Sequence, residues 1–233
     1  LYGYHLAKEK IYKTKEIIVC EGYLDVIMLH QAGFNNAVAT LGTALTKDHL
    51  PLLRRGEPRV ILSYDGDKAG QNAAFKASVM LSQNGFDGGV VIFENGADPA
   101  DMVKDRKIEK LEELFSNPTP FANFAISYII SSYNINNPVE KQKALSEANE
   151  YLSSLSQLYQ EEYKRFLAQK LNIKESLIKT SNNIYRKNSV ELSKVDIAEL
   201  CIIKSILDEP RRLDIVLDKI DKSMFEHHQE EFE

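Results

Sequence analysis

"VILSYDGDKAGQNAAFKASVML", residues 60–81, carries the decision about the fold. It begins as a β-branched apolar run and breaks at a turn of two aspartates around a glycine. It then continues in a pattern where Ala74, Ala77, Val79 and Leu81 recur near helical spacing. Strand, turn and helix in so short a span are the grammar of a βαβ unit. Asp65 and Asp67 stand at the join, one residue apart, where like charges repel and gain nothing from a core.

The same grammar extends outward on both sides. "IIVC" (17–20), "NAVAT" (36–40) and "VVIF" (90–93) read as further strands, and "YLDVIMLHQAG" as a helix carrying Leu24, Ile27 and Met28. Gly33 and Gly85 sit where a helix end favours a residue tolerant of the left-handed conformation. Alternation of this kind predicts an α/β fold, a mostly parallel sheet with helices on its faces, whose ligands collect at the carboxyl ends of the strands. From about residue 104 the pattern turns helical. Leu145, Ala148, Leu152 and Leu155 keep one face and Tyr163, Phe166, Leu167 and Leu171 another, with "NPTP" (117–120) and "NNP" (136–138) as punctuation. A polar stretch over 179–194 reads as a linker. Asp196 and Glu199 then form a capping-box variant ahead of Leu200, Ile203, Ile206 and Leu207.

Composition sets outer bounds. With 43% hydrophobic and 27% charged residues the chain is of ordinary globular make-up, and no stretch approaches the roughly 20 apolar residues of a membrane span. A soluble, cytoplasmic protein is expected. Cys20 and Cys201, too few and too distant for a CxxC-type zinc site, read as buried thiols of a reducing compartment. A formal net charge of −5 argues against a surface basic all over, and leaves room for a local basic groove. The opening "LYGYHLAKEK" lacks methionine and any signal pattern, so a piece of a longer protein is expected.

Three places put carboxylates just past a strand: Glu21, with Asp25 one turn on; Asp65 and Asp67; and Asp98 and Asp101. If the strands are parallel, all three open on one sheet edge. Clustered carboxylates raise one another's pKa unless a cation is present, and oxygen-only ligands suit Mg²⁺ or Mn²⁺ rather than zinc. Two such ions about 3.5–4 Å apart would polarise the attacking and leaving oxygens of a phosphoryl transfer. Asp-Gly-Asp is also common turn chemistry. Gly22, Gly42 and Gly66 fit either plain turns or close approach of a phosphate, and Lys68 either solvent or a phosphate contact.

"EGYLDV" (21–26), "LGTALT" (41–46), "YDGDKAG" (64–70) and "DPADMV" (98–103) resemble the Toprim domain of bacterial DnaG-type primases. Glu plus Asp-x-Asp is shared by all Toprim proteins, including topoisomerases, RecR-type proteins and OLD-type nucleases; the longer wording is particular to primases and close relatives. "LSSLSQLYQEEYKRFLAQKLNIKESLI" (152–178) resembles the helical subdomain that follows Toprim there, and "DIAELCIIKSILDEPRRLDIVLDKI" (196–220) the first helices of the helicase-interaction domain.

The resemblance implies the end of a preceding polymerase subdomain over 1–14, a Toprim domain over 15–103, a helical subdomain over 104–190 and a truncated helicase-interaction domain from 191. It implies template-directed synthesis of RNA primers on single-stranded DNA from ribonucleoside triphosphates, with a replicative helicase as partner through the carboxyl-terminal region. Glu21 matches the family's catalytic glutamate, acting on metal or as a base; Asp65 and Asp67 match its metal-binding aspartates, and Asp25 and Asp98 supporting acids. Where many relatives have Asp-Pro-Asp, Ala100 takes the second Asp position, so Asp101 is not carried over. The zinc-binding domain of the family would precede Leu1. Two other functions stay open on the residues: another Toprim enzyme, a topoisomerase or nuclease, or a scaffold chiefly for docking a helicase.

Overall fold

The computed structural model describes residues 1–42, 44–93 and 98–179. The chain divides into two units, Leu1–Asn182 and Asn183–Glu233. The second lies outside the described residues, and with it Cys201, nearly all of the linker read over 179–194, and the helical segment expected from Asp196.

Four strands run parallel: β1 (Glu16–Cys20), β2 (Ala37–Ala39), β3 (Arg59–Tyr64) and β4 (Gly88–Ile92). The sheet order is β2-β1-β3-β4-β5, where the two-residue β5 (Thr119–Pro120) lies antiparallel beside β4. The chain leaves β1 toward β2 and then crosses back to β3 on its other side. Strand order therefore reverses at β1, the kind of position where open α/β sheets hold ligands.

Side chains alternate across the sheet. Ile17, Val19, Val60, Leu62, Tyr64 and Val90 face one way, Ile18, Cys20, Ile61 and Val91 the other, and all are buried. Because helices cover both faces, every position in a strand meets a core, which is why the strands read as unbroken apolar runs. On the first face lie α1 (Tyr4–Thr14), α3 (Leu50–Leu53) and α4 (Lys68–Gln83), through Ala7, Ile11, Leu53, Ala74, Ala77 and Leu81. On the second lie α2 (Tyr23–Gln31), α5 (Pro99–Lys104) and α6 (Ile108–Ser116), through Val26, Leu29, Met102, Leu111 and Phe115.

The inward stripe of α2 is Asp25, Val26 and Leu29, while Leu24 and Ile27, expected to mark the apolar face, are 58% and 40% exposed. This helix is apolar on several sides, so spacing alone could not choose among them; the sheet selects the side that also brings Asp25 inward.

The helical region expected from residue 104 divides. α6 belongs to the sheet, whereas α7 (Phe121–Ser131), α8 (Pro138–Ser153) and α9 (Gln157–Leu171) enclose their own core of Ile126, Ala144, Ala148, Leu152, Leu167 and Leu171. The bundle seats on the back of α4, where Phe75 and Val79 pack against it and Ser82 Oγ lies 2.9 Å from the Tyr151 hydroxyl. Both margins of the sheet are occupied. Pro120 ends an edge strand, where its missing N–H leaves no gap in a ladder, and at the β2 side the Tyr2 amide donates to the Ala39 carbonyl at 2.8 Å.

Candidate active site

The parallel ladder aligns Cys20 with Ser63 and Ser63 with Val91, so β1, β3 and β4 end at nearly one level. The chain turns there carry Glu21, Asp65 and Asp67, and then Asp98 at the start of α5. The sheet thus brings the three acidic stretches to one rim.

Each acid is positioned by local backbone chemistry. Glu21 reaches across to β3, where its Oε1 accepts the Asp65 amide at 3.2 Å. The amides of Leu41 and Gly42 donate to the Glu21 carbonyl at 3.2 and 3.4 Å. Leu41 and Gly42 are both left-handed, with φ of 59° and 68°, which curls the loop after β2 back onto this carbonyl. Gly22 starts α2 and donates its amide to Asp25 Oδ2 at 3.1 Å. Asp67 is the N-cap of α4, its Oδ1 accepting from the Gly70 amide at 2.7 Å, and Asp98 is the N-cap of α5, its Oδ1 accepting from the Asp101 amide at 2.6 Å.

Two glycines bring these turns close together. A side chain on Gly66 would enter the Phe93 backbone, so this glycine closes the β3 turn against the end of β4. A Cβ on Gly70 would stand 2.5 Å from the Asp65 carbonyl oxygen and 2.9 Å from Glu21 Oε1. Only glycine lets the first turn of α4 approach both. Lys68 begins α4 and is exposed.

The electrostatics are one-sided. Burial raises the Asp25 carboxyl to about 6, helped by the charges of Asp98 and Asp65 and opposed by the Gly22 and Ala100 amides. Burial also raises Asp65, joined by Asp98, Asp67 and Asp101; it raises Glu21, where Asp65 and Asp67 add and the Asp65 amide opposes. Among the described residues no lysine or arginine acts on these three carboxyls. Asp101, grouped with Asp98 by its position past a strand but not carried over from the family, contributes to the field at Asp65. The Cys20 thiol beneath the rim is buried, and burial pushes its pKa well up, so it serves as core.

The donor set fits a hard divalent cation: it is oxygen only and negative, and burial together with the neighbouring carboxylates raises Glu21 and Asp65. Among the described residues no three His, Cys, Asp or Glu side chains already close into a cage. Asp67 and Asp98 each spend one oxygen on a helix cap, which leaves the second oxygen of each outside the cap bond. Gly70 and these caps were missed in the sequence. A glycine in the first turn of a helix and an aspartate immediately before one were the signals available.

A family model described as Toprim-like matches residues 18–103. One described as the DnaB-helicase binding domain of primase matches 122–176, and one described as the DnaG-primase C-terminal, helicase-binding domain matches 196–233. A DNA primase of Helicobacter pylori strain J99 is 45% identical over 249 residues, covering 100% of this chain and 44% of that protein. A DNA primase of Campylobacter jejuni is 40% identical over 219 residues, covering 90% of this chain and 36% of its own length. Among solved structures, a DnaG primase catalytic domain bound to single-stranded DNA superimposes with a TM-score of 0.66 at 30% identity, covering 76% of this chain and 57% of that one.

Sheet, acidic rim and appended bundle define a Toprim-type α/β domain with a helical subdomain behind it. The chain belongs to the bacterial DnaG-type primase family, and spans less than half the length of these curated relatives. Membership implies use of a divalent metal ion. A topoisomerase or nuclease is not favoured by these matches. Among the described residues no helix is long and apolar enough to cross a membrane.

Proposed function

We propose that this chain is the metal-binding half of a DNA primase catalytic core, working in template-directed synthesis of short RNA primers on single-stranded DNA. The observation that carries the proposal is the rim: Glu21, Asp65 and Asp67 at the ends of adjacent parallel strands, with burial and mutual repulsion raising the Glu21 and Asp65 carboxyls and, among the described residues, no lysine or arginine relieving them.

Glu21, Asp65 and Asp67 would hold Mg²⁺ or Mn²⁺, which when bound supplies positive charge to the triphosphate and to the attacking 3′-hydroxyl. Glu21 is fixed by the Asp65 amide on one oxygen and keeps the other for metal or for the hydroxyl proton. Asp25 and Asp98 act behind them. Asp25 is 7% exposed and lies within the field of Asp98 and Asp65 rather than reaching a nucleotide. Gly22, Gly66 and Lys68 are the groups nearest to where a phosphate would lie, Lys68 as a point charge. Template, ribonucleoside triphosphates and, through the matched carboxyl-terminal segments, a replicative helicase are the partners this role requires, in the cytoplasm.

Calorimetric titration with Mn²⁺ tests the reading. Binding should be lost in Asp65→Asn/Asp67→Asn, and binding equal to that of the unaltered chain would refute the assignment. Primer synthesis by these 233 residues alone should be weak or absent. Strand scission with Mn²⁺ and no nucleotides would point to a nuclease instead.

A further inference from the structure

α1 carries a feature that the rim does not use. Tyr2, just before it, pairs with Ala39 at the carboxyl end of β2, and Lys15, just after it, leads into the start of β1. The helix therefore runs from the edge of the sheet that bears the acids to the opposite edge, about 16 Å for its 11 residues. Ala7 and Ile11 face the sheet.

Along another side, Tyr4, Lys8, Tyr12 and Lys15 follow one another at intervals of four, four and three residues, which places them in one stripe. It alternates ring and cation. Across from it, Arg55 and Gly56 of the α3–β3 turn form the second wall of an open groove of about 590 Å³.

The groove is built around Tyr12. Gly56 is left-handed, with φ of 77°, and a Cβ there would stand 3.3 Å from the Tyr12 ring. Lys15 Nζ donates to the Gly56 carbonyl at 3.0 Å and lies 4.4 Å from the Tyr12 ring centroid. One side of the ring is thereby held, yet Tyr12 stays 68% exposed. A fixed, largely exposed ring between cations is an arrangement for stacking a planar group joined to an anion.

The charge is equally particular. Glu9, the one acid in the groove wall, pairs with Lys13 at 2.7 Å. Among the described residues Lys8 and Arg55 pair with no carboxylate. In a chain of net charge −5, this stripe is a local excess of positive charge.

We propose that the α1 groove, with Lys8 and Arg55 on phosphates and Tyr12 under a base, guides single-stranded nucleic acid away from the acidic rim. The proposal rests on the primase reading for its direction, and its occupant follows from charge and ring chemistry. Phosphates every nucleotide match the cations, and every base has a face for Tyr12.

The test is fluorescence anisotropy of a labelled oligothymidylate with the full chain, in EDTA, over a series of salt concentrations. Lys8→Glu/Arg55→Glu should weaken binding at least tenfold at low salt and reduce the slope of log K against log salt by about 1.4, two single-strand phosphate contacts at about 0.7 each. Lys8→Gln/Arg55→Gln should fall between, which guards against a folding effect. Tyr12→Ala should weaken binding about fivefold or more while Tyr12→Phe keeps it, as stacking requires.

Unchanged affinity and slope in the charge-reversal variant would overturn the proposal. So would unchanged oligonucleotide binding accompanied by a shift in sedimentation, which would make the groove a contact between copies of the chain. Lys8→Glu/Arg55→Glu should keep the Mn²⁺ affinity that Asp65→Asn/Asp67→Asn loses. Failure of the groove and failure of the metal site therefore give different results.

Discussion

The Asp67 carboxylate accepts the Gly70 amide at 2.7 Å, so an acid assigned to metal is also the cap of the longest helix on the sheet. The two roles separate by substitution. Asp67→Asn retains an N-cap oxygen and should leave urea unfolding in chelator nearly unchanged, while Asp67→Ala should cost about 1 kcal/mol. Both should lose Mn²⁺ affinity. Equal stability of the two variants would deny Asp67 its capping role.

Gly70→Ala opposes local propensity to packing. In a free helix alanine is favoured over glycine by about 1 kcal/mol. Here the added Cβ would stand 2.5 Å from the Asp65 carbonyl oxygen. We expect destabilisation of about 1–3 kcal/mol, together with weaker Mn²⁺ binding as the rim spreads. A higher urea midpoint would show that α4 does not need this close approach.

In chelator the rim should make stability fall as pH rises. Folded Asp25 binds its proton with a pKa of about 6 against an ordinary 3.8, so between these values the folded state holds the extra proton and deprotonation works against folding. Glu21 and Asp65 are shifted in the same direction. Urea unfolding measured in pH steps should give a negative slope across this window. Asp25→Asn should make it shallower, and a slope identical to that of the unaltered chain would remove Asp25 from the account.

Ser82 and Tyr151 join α4 to the bundle. Tyr151→Phe should cost about 1 kcal/mol, because Ser82 keeps only its bond to the Val79 carbonyl at 3.1 Å. Ser82→Ala/Tyr151→Phe should cost less than the sum of the single changes, as a shared bond requires. Strict additivity in unfolding experiments would place the coupling elsewhere.

What could be read from the chain alone was whatever repeats along it. β1, β3 and β4 announce themselves because both faces of each are buried, and the acids after them follow from parallel topology. α1 was not read as part of the sheet layer, since Ala7 and Ile11 are its only buried residues. Gly70 acquires meaning only when Asp65 and Glu21 arrive beside it, and β5 is too short to carry a period. The outward turn of Leu24 and Ile27 was likewise illegible, because the helix offers the sheet more than one apolar side. Each of these rests on an approach between segments distant in sequence, to which periodicity is blind.

The two segments that flank the sheet, Tyr2 at one margin and Thr119–Pro120 at the other, come from outside the stretch 18–103 that matches the Toprim family. Trimming the chain to that stretch would expose strand backbone on both sides at once, an invitation to unwanted strand addition. The minimal well-behaved unit of this protein is therefore larger than its signature, since its sheet is finished at both margins by chain that the signature leaves out.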